Sequence, residues 1–404
     1  MDFLLVEPDF PIPKKSRNHK NFLPIGLLKI GAYLKRRRHA QRVQLVRGNL
    51  DVNFTPDEIY ITSLFTYWSE EFWESVEFYR DRFPEAEIRV GGIYVSLMFD
   101  DPRFKETCDR YRVKPRKGIF KSAEKYKADY SLIKTNPGPL DCQILHASRG
   151  CPRRCSFCGT WKVEPEISFK KSVRRLICNN KIVFYDNNLL ANPSIKNILE
   201  ELAKTRWKGK SMVCESQSGF DGRILEKNPH LGKLLRKARF VNPKIAWDTK
   251  YGNHPRIEKQ VQILEDAGFA HKDIGIFMMF NWEIPYTKME KKRVKCWNWR
   301  VQVDDCRFRP LDQLFDNFNS RKSQTREDYY IHPKWTDRQV KEFRRNVRRH
   351  NICVRHGFSF HSKTLENKKV SKRKSMELRD MSKSRVKRAL PDAWFPDEEH
   401  PCPR

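Results

Sequence analysis

The feature that most constrains the fold is a repeated alternation of short apolar runs with longer amphipathic segments. The first β-rich runs lie at residues 3–6, 42–46, 58–64 and 87–91. Between them, Pro24 marks the start of one helix and Ser69 is the expected N-cap of a second, whose residues Phe72, Val76 and Tyr79 share one face. Strands that alternate with helices predict a parallel, doubly wound sheet of the Rossmann or flavodoxin type.

The alternation begins again with six further apolar runs. They lie at residues 142–147, 181–185, 211–214, 243–247, 273–279 and 300–303. Six βα units predict a partial barrel of the TIM type, in which chemistry occurs at the carboxyl ends of the strands. The expected domains are therefore a doubly wound unit over 1–135, a partial (βα)6 barrel over 136–330 and a basic extension over 331–404. In the extension we expect a helix near 337–350, followed by largely extended or disordered chain.

Charge and composition restrict the partners of the chain. The net charge is +31, and the basic residues are densest in 341–356 and 368–388. Such an excess favours nucleic acids through counterion release, although a solvated helix face produces the same excess. No apolar run is long enough to cross a membrane, and the apolar run at the N-terminus is too short for a signal peptide. Eleven cysteines are too few for a disulfide scaffold, so we expect a cytoplasmic protein.

Three of the cysteines lie together in the stretch HASRGCPRRCSFCGTW, residues 146–161. Cys151, Cys155 and Cys158 follow the first strand of the predicted barrel with the spacing C-x3-C-x2-C. A closed structural zinc site needs four ligands, whereas three thiolates leave one position of an iron-sulfur cluster open to an external ligand. Two alternatives remain: a zinc site completed by His146 or a distant cysteine, and an unligated buried trio.

Polar residues also follow the later strands of the predicted barrel. They are Asp186, Asn187, Asn188, Glu215, Ser216, Gln217, Asp248, Asn281 and Glu283. Each of them can be an ordinary cap or turn residue. Because parallel strands of a barrel end at one rim, we expect these side chains to surround a single site with the cysteines.

The cysteine spacing, in this position of a six-unit βα barrel, resembles the radical S-adenosylmethionine superfamily. The resemblance implies a 4Fe-4S cluster on Cys151, Cys155 and Cys158, with the fourth iron left for the amino and carboxylate groups of S-adenosylmethionine. An electron from the cluster then cleaves the sulfonium and gives a 5'-deoxyadenosyl radical. Phe157 matches the aromatic residue that precedes the third cysteine in the family. A reductant such as flavodoxin or ferredoxin is the implied partner.

The same resemblance assigns further cofactor contacts by position. The segment YDNNLLAN resembles the one that holds the amino group of S-adenosylmethionine and implicates Asp186 and Asn187. The segment CESQSGF resembles the ribose-contacting one and implicates Glu215 and Gln217. The segment IGIFMMFNWEIP resembles the one that packs on adenine and implicates Asn281.

The N-terminal unit is similar to the cobalamin-binding Rossmann-like domain that precedes the radical barrel in one subgroup of the superfamily. The similarity lies in residues 22–46 and in the stretches IYITSLFTYW and RVGGIYVS. The motif D-x-H-x-x-G, which supplies an axial histidine in many cobalamin proteins, is missing. The unit either binds cobalamin or only shapes the substrate cleft.

A loop after the sixth strand, residues 306–318, is dense in arginine and aspartate. Arg307, Arg309 and Asp312, with Asp316, are candidate substrate contacts, and solvated loop ion pairs are the alternative. Four cysteines from the later part of the chain lack a C-x2-C pair, so they are expected to be free or buried thiols. They are Cys296, Cys306, Cys353 and Cys402.

The expected function is a radical S-adenosylmethionine enzyme that modifies a substrate, with nucleic acid as one candidate. Two other functions remain open. One is cobalamin-dependent methyl transfer to a small molecule or lipid precursor. The other is a non-catalytic iron-sulfur protein that binds nucleic acid.

Overall fold

The computed structural model describes residues 1–13, 16, 19–37, 40–133 and 140–397. Within these residues the chain is a mixed α/β protein built on parallel sheets. The expected domain boundary near residue 135 and the thiol of Cys402 lie outside the described residues. None of the described helices is both long enough and apolar enough to span a membrane.

The N-terminal part folds around one five-stranded parallel sheet with the order β2-β1-β3-β4-β5. Its strands are β1 (Asp2–Glu7), β2 (Arg42–Arg47), β3 (Glu58–Ser63), β4 (Glu87–Gly92) and β5 (Val113–Pro115). This is the strand order of flavodoxin-like doubly wound sheets. The four strands expected from the sequence are confirmed. The fifth has only three residues, too short an apolar run to be recognised.

Helices cover both faces of this sheet, which explains why Phe3, Leu4, Leu5 and Val6 are all fully buried. The helices are α1 (Ile25–Arg37), α2 (Ser69–Arg82), α3 (Ile93–Met98), α4 (Pro102–Arg110) and α5 (Lys121–Glu124). The expected cap of α2 is wrong. Trp68 is its N-cap, because a short 3₁₀ turn at Thr66–Trp68 runs directly into the helix and places Ser69 in the first helical turn.

The second part contains two three-stranded parallel sheets, with the orders β8-β7-β6 and β9-β10-β11. The strands are β6 (Gln143–Leu145), β7 (Lys181–Phe184), β8 (Val213–Ser216), β9 (Lys244–Ala246), β10 (Gly275–Phe280) and β11 (Gln302–Arg307). Isolated parallel bridges from Cys214 to Phe240 and from Phe220 to Ile245 link the two sheets. All six strands expected here are confirmed, and their spatial order follows the chain.

Helices alternate with these strands. They are α6 (Thr160–Val163), α7 (Ile195–Lys204), α8 (Gly222–Lys227), α9 (His230–Lys237), α10 (His254–Asp266) and α11 (Tyr286–Asn298). The segment from residue 221 to 238 forms two helices, because Pro229 lacks the amide hydrogen that would continue the first. Two antiparallel ladders pair Ser148–Arg149 with Ser168–Phe169 and Arg206–Trp207 with Lys210–Ser211.

The C-terminal extension is folded as far as residue 397. A long helix, α12 (Asp337–His356), begins with a capping box formed by Thr336 and Gln339. It buries Val340, Phe343 and Val347 in the core of the second part. Three shorter helices follow: α13 (Lys363–Glu366), α14 (Lys372–Arg379) and α15 (Lys383–Ala389).

The expectation of largely extended or disordered chain after residue 350 is therefore wrong for the described residues. The short helices pack on a small apolar cluster that includes Phe360, Leu378, Val386 and Leu390. Each helix contributes only one or two of its apolar residues, too few to produce a helical period in the sequence.

His350 is the fully buried histidine that links α12 to β11. Its Nε2–H donates to the carbonyl oxygen of Val301 at 2.8 Å, while its Nδ1 is buried without a hydrogen-bond partner. Burial, reinforced by Arg293 and Arg300, lowers the pKa of His350 from 6.5 to about 3, although the bond to Val301 opposes this. The ring is therefore neutral in the folded chain at neutral pH.

Neutral His350 should make the fold sensitive to acid. As the pH falls, the imidazole of the unfolded chain binds a proton before the buried ring does. The free energy that neutral His350 contributes to folding is therefore fully present above about pH 6.5 and is lost as the pH falls toward about 3. At about pH 5 the loss attributable to His350 is about 2 kcal/mol. The variant His350→Gln lacks this proton, so its urea midpoint should fall less between about pH 7.5 and 5 than that of the wild type. The exposed His230→Gln is the matched control, and an equal pH dependence in all three proteins would contradict the assignment.

Candidate metal centre

The three clustered cysteines lie in the loop between β6 and α6, at the carboxyl end of the first strand of the second part. All ten described cysteines are free thiols. Cys151, Cys155 and Cys158 are partly exposed, whereas Cys214 and Cys296 are buried in the core. The loop therefore presents three accessible sulfur donors in the place that the sequence predicts.

The start of this loop is held by the carboxylate of Asp186, at the end of β7. One oxygen accepts the amide hydrogen of Ala147 at 3.0 Å, and the other accepts the amide and, at 2.6 Å, the hydroxyl of Ser148. Burial raises the pKa of Asp186 to about 6, although these hydrogen bonds oppose the shift. Asp186 is 0 % exposed. Asp186 thus anchors the loop in this structure, and its contact with the S-adenosylmethionine amino group stays a prediction.

Glu164 closes the loop from the other side. Its carboxylate accepts the amide hydrogen of Gly150 at 2.8 Å, an Nη1 hydrogen of Arg149 at 3.0 Å and an Nδ2 hydrogen of Asn187 at 3.0 Å. Asn187 also accepts from the hydroxyl of Thr160 at 3.3 Å. The predicted cofactor residue Asn187 therefore lies beside the cysteine loop and is partly exposed.

Two of the three sulfur atoms take part in hydrogen bonds within the loop. The Cys158 thiol donates to Thr160 Oγ1 at 3.3 Å, and the amide of Arg153 donates to the Cys151 sulfur at 3.4 Å. Burial raises the pKa of the Cys155 thiol, and Cys158, Asp248 and Cys151 raise it further. Cys158, Asp248 and Cys151 therefore lie near enough to Cys155 to disfavour its ionised form.

Three thiolates are an all-sulfur donor set, which suits zinc or an iron-sulfur cluster. Among the described residues, no group of three or more His, Cys, Asp or Glu side chains has the arrangement that holds one metal ion. In a four-iron cluster each thiolate binds a different iron, so its three protein ligands do not converge on one point. His146, the expected additional zinc ligand, is buried, and its ring faces Lys29 and Tyr185.

A buried ionic network joins the cysteine loop to the N-terminal part. Glu124 of α5 lies 2.6 Å from Lys29 Nζ and 2.7 Å from Arg149 Nη2, and Lys170 lies 3.7 Å away. Burial opposes ionisation of Glu124, but Arg149 and Lys29 outweigh it and lower its pKa to about 2. Burial and then Arg149 lower the pKa of Lys29 to about 8. Since three cations share this carboxylate, removal of Glu124 would leave buried positive charge without compensation.

The other predicted rim residues have different environments. Glu215 is paired with Lys20 of the N-terminal part, and Gln217 has a buried Oε1 without a hydrogen-bond partner. Asn281 is 0 % exposed; its amide group donates to Tyr330 O at 2.8 Å and accepts from His332 N at 3.0 Å. Asn281 thus ties the end of β10 to residues 330–332, and its contact with adenine stays a prediction. Phe157 is partly exposed beside Cys158.

Most of the residues predicted as substrate contacts after the sixth strand form ion pairs with one another. Asp316 accepts from Arg307 Nη2 and from Arg309 Nε, both at 2.6 Å, and the Arg307 side chain is only 4 % exposed. Arg307 also stacks on Phe318 at 4.5 Å. Arg307 therefore fixes this loop, and its contact with a substrate stays a prediction. Asp312 is exposed and remains available.

Sequence reasoning missed several polar residues on the strands themselves. Gly275 on β10 has no side chain, which leaves room for the carboxylate of Asp304 on β11. Lys244 on β9, the strand on the other side of β10, lies beside the same glycine. Burial raises the pKa of Asp304, while Lys244 lowers it and Glu215 raises it. Cys306, two residues further along β11, is exposed. The strand reads QVDDCR and does not alternate polar with apolar residues, so it carries no periodic signal of a polar face.

The N-terminal part covers the rim on which these residues lie. Tyr67 lies beneath the guanidinium of Arg309 at 4.7 Å, and the hydroxyl of Tyr185 bonds the carbonyl of Lys20. A Cβ at Gly159, beside the last cysteine, would lie 3.4 Å from Leu97 of α3. The two parts of the chain are therefore in contact beside the candidate site.

Neither a known family model nor a curated protein matches this sequence. The interpretation of the site accordingly depends on the spacing of its cysteines and on the geometry around them.

The path of the cysteine loop depends on Gly150, which has a positive φ of 72°. A Cβ at this residue would lie 2.6 Å from the carbonyl oxygen of Glu166. We expect Gly150→Ala to lower the free energy of unfolding by about 3 kcal/mol, about 1 kcal/mol from the backbone conformation and the rest from the steric contact. Urea titration measures the loss.

Gly209 is the matched control, because its φ is 77° and nothing lies within 4 Å of its added Cβ. The variant Gly209→Ala should therefore show only the conformational loss of about 1 kcal/mol. Equal losses of unfolding free energy in the two variants would mean that the backbone around residue 150 shifts and relieves the steric contact.

Proposed function

We propose that this chain is a radical S-adenosylmethionine enzyme that holds a 4Fe-4S cluster through Cys151, Cys155 and Cys158. The observation that carries the proposal is the presence of three free, partly exposed thiols in one loop at the carboxyl end of β6. The stretch from residue 146 to 161 has no fourth cysteine. A cluster with three protein ligands keeps one iron for another ligand, here the amino and carboxylate groups of S-adenosylmethionine.

The proposed scaffold is a partial barrel made of the two three-stranded sheets. Its six strands are parallel and follow chain order, and two bridges link the sheets. Val213, Ala246 and Cys306 lie on different strands and are exposed within this parallel array, which supports an open inner face. In a barrel this face would lead to the carboxyl ends, where the cysteine loop lies.

Asn187, Glu215 and Gln217, with Phe157, are the proposed contacts for S-adenosylmethionine. When bound at the cluster, it would supply a 5'-deoxyadenosyl radical. Gln217 has an unpartnered buried amide oxygen that can accept a hydrogen bond from a ligand. Glu215 can accept hydrogen bonds from ribose hydroxyls when Lys20 moves away. The cover formed by the N-terminal part would exclude water from the reacting atoms.

For the N-terminal part, we favour a role in shaping the cleft over binding of cobalamin. A doubly wound sheet binds ligands at the carboxyl ends of its strands. Here that edge carries stacked aromatic residues, with Phe10 and Trp68 at 5.4 Å and Phe65 and Tyr67 at 5.0 Å. Tyr67 also contacts Arg309 of the second part. Corrin absorbance in protein from cobalamin-fed cells would instead support cobalamin-dependent methyl transfer.

The cysteine ligands are tested by anaerobic reconstitution with iron and sulfide. Wild type should gain cluster absorbance and, with dithionite in place of a flavodoxin or ferredoxin, convert S-adenosylmethionine to 5'-deoxyadenosine. Serine variants of Cys151, Cys155 and Cys158 should lose the product by about 100-fold or more, since each removes one cluster ligand. Mass spectrometry measures the product, and iron analysis measures the cluster.

Cys178→Ser is the matched control, because this thiol is also free and partly exposed but lies between α6 and β7. It should retain the cluster and the product. Full cluster absorbance in all three loop variants would contradict the ligand assignment. A loaded cluster that neither binds nor cleaves S-adenosylmethionine would favour the non-catalytic alternative.

A further inference from the structure

The described end of the chain, residues 358–397, forms a small folded unit with a core of its own. Phe360, Leu378, Val386, Leu390 and Phe395 are buried together. An isolated antiparallel bridge between His361 and Trp394 joins the two ends of the unit, with two backbone hydrogen bonds of 2.8 Å. The unit therefore has a defined shape, which we call the C-terminal module.

The module is fixed to the rest of the protein. The Trp394 ring lies 5.1 Å from the guanidinium of Arg293 on α11 and 5.9 Å from that of Arg349 on α12. Arg293 also donates to the carbonyl oxygen of Pro396 at 3.2 Å, and Arg348 pairs with Glu366. A ligand bound to the module is thus held at a fixed position relative to the parallel sheets.

Two of its helices are joined by a very short turn. α14 ends at Arg379 and α15 begins at Lys383, so that only Asp380, Met381 and Ser382 lie between them. Met381 packs against the module core and fixes the turn. A turn of this length also joins the two helices of the helix-turn-helix, whose second helix enters the major groove of DNA.

α15 has the surface that such a helix needs. Of its residues only Val386 is buried, and the exposed positions include Ser384, Arg385, Lys387 and Arg388. Arg385 and Arg388 lie one helical turn apart and form no ion pair with any described residue. Further lysines without a described ion pair are exposed on or beside the preceding helices: Lys363, Lys368, Lys369 and Lys372.

We propose that the C-terminal module binds double-stranded DNA, with α15 in the major groove and the lysines around α13 and α14 on the phosphates. The groove of B-form DNA is about 12 Å wide and admits a helix, and arginine is the usual reader of guanine there. A-form RNA has a deep, narrow major groove that side chains do not read. Single strands are bound by stacking on exposed aromatic rings, but Phe360, Trp394 and Phe395 are buried.

The inference does not depend on the cluster chemistry, and it is tested by binding alone. Full-length protein is titrated against a fluorescent duplex of about 20 base pairs over a range of salt concentrations. Arg385→Ala with Arg388→Ala should weaken binding by about tenfold or more, whereas Lys369→Ala with Lys372→Ala should reduce the slope of log affinity against log salt by about 2. Ser384→Glu places a carboxylate on the exposed face of α15 and should abolish binding without removing any packing.

The matched control is Lys233→Ala with Lys237→Ala, which removes the same charge from exposed positions of α9. This variant should bind DNA as the wild type does. Equal losses in the double variants of α9 and α15 would overturn the proposal, because the binding would then reflect net charge. A wild type that binds no duplex, or binds single-stranded RNA of equal length more tightly, would overturn it as well. The iron content of the same samples shows whether the cluster is present, so a failure of DNA binding can be distinguished from a failure of cluster assembly.

Discussion

The second part of the chain depends on satisfying the outer edges of its two parallel sheets. β6 and β11 are the outer strands, and unpaired backbone groups there would invite association with other chains. On β6 the hydroxyl of Tyr130 accepts the amide hydrogen of Ile144 at 2.8 Å. On β11 the amide group of Asn351 donates to Val303 O at 2.7 Å and accepts from Val303 N at 2.8 Å, as a neighbouring strand would. On each outer strand a side chain thus bonds backbone groups that would otherwise lack a partner strand.

The same two contacts explain why the chain is arranged in three parts. Tyr130 belongs to the segment that follows the N-terminal sheet, and Asn351 belongs to α12 of the extension. Glu124 adds a buried ionic link between the first part and the cysteine loop. Such buried pairs contribute little net stability, but breaking one costs about 3 to 5 kcal/mol, so they fix a unique arrangement. The cysteine loop therefore takes its position from both the strand before it and the unit that covers it.

The sequence predicts the strands well, because apolar runs of four to six residues between amphipathic segments carry a strong signal. It predicts the roles of single polar residues less well. Asp186 and Asn281 stand at the expected rim, but both turn inward to bind backbone groups, and the sequence pattern is the same for an anchor and a ligand contact. Arg307 is similar, because its partner Asp316 lies in the same loop. The helices after residue 357 escaped recognition because their apolar residues meet only in three dimensions.

α12 connects the two surfaces to which we assign binding. Asn351 and His350 bond β11, the strand that carries Asp304 and Cys306 on the face of the second part, while Arg348 and Arg349 hold the C-terminal module. These contacts lie within four successive residues of one helix. α12 is a continuous helix from Asp337 to His356, so it fixes the position of the C-terminal module relative to β11. A duplex held on α15 would therefore have a fixed distance and direction to the cysteine loop.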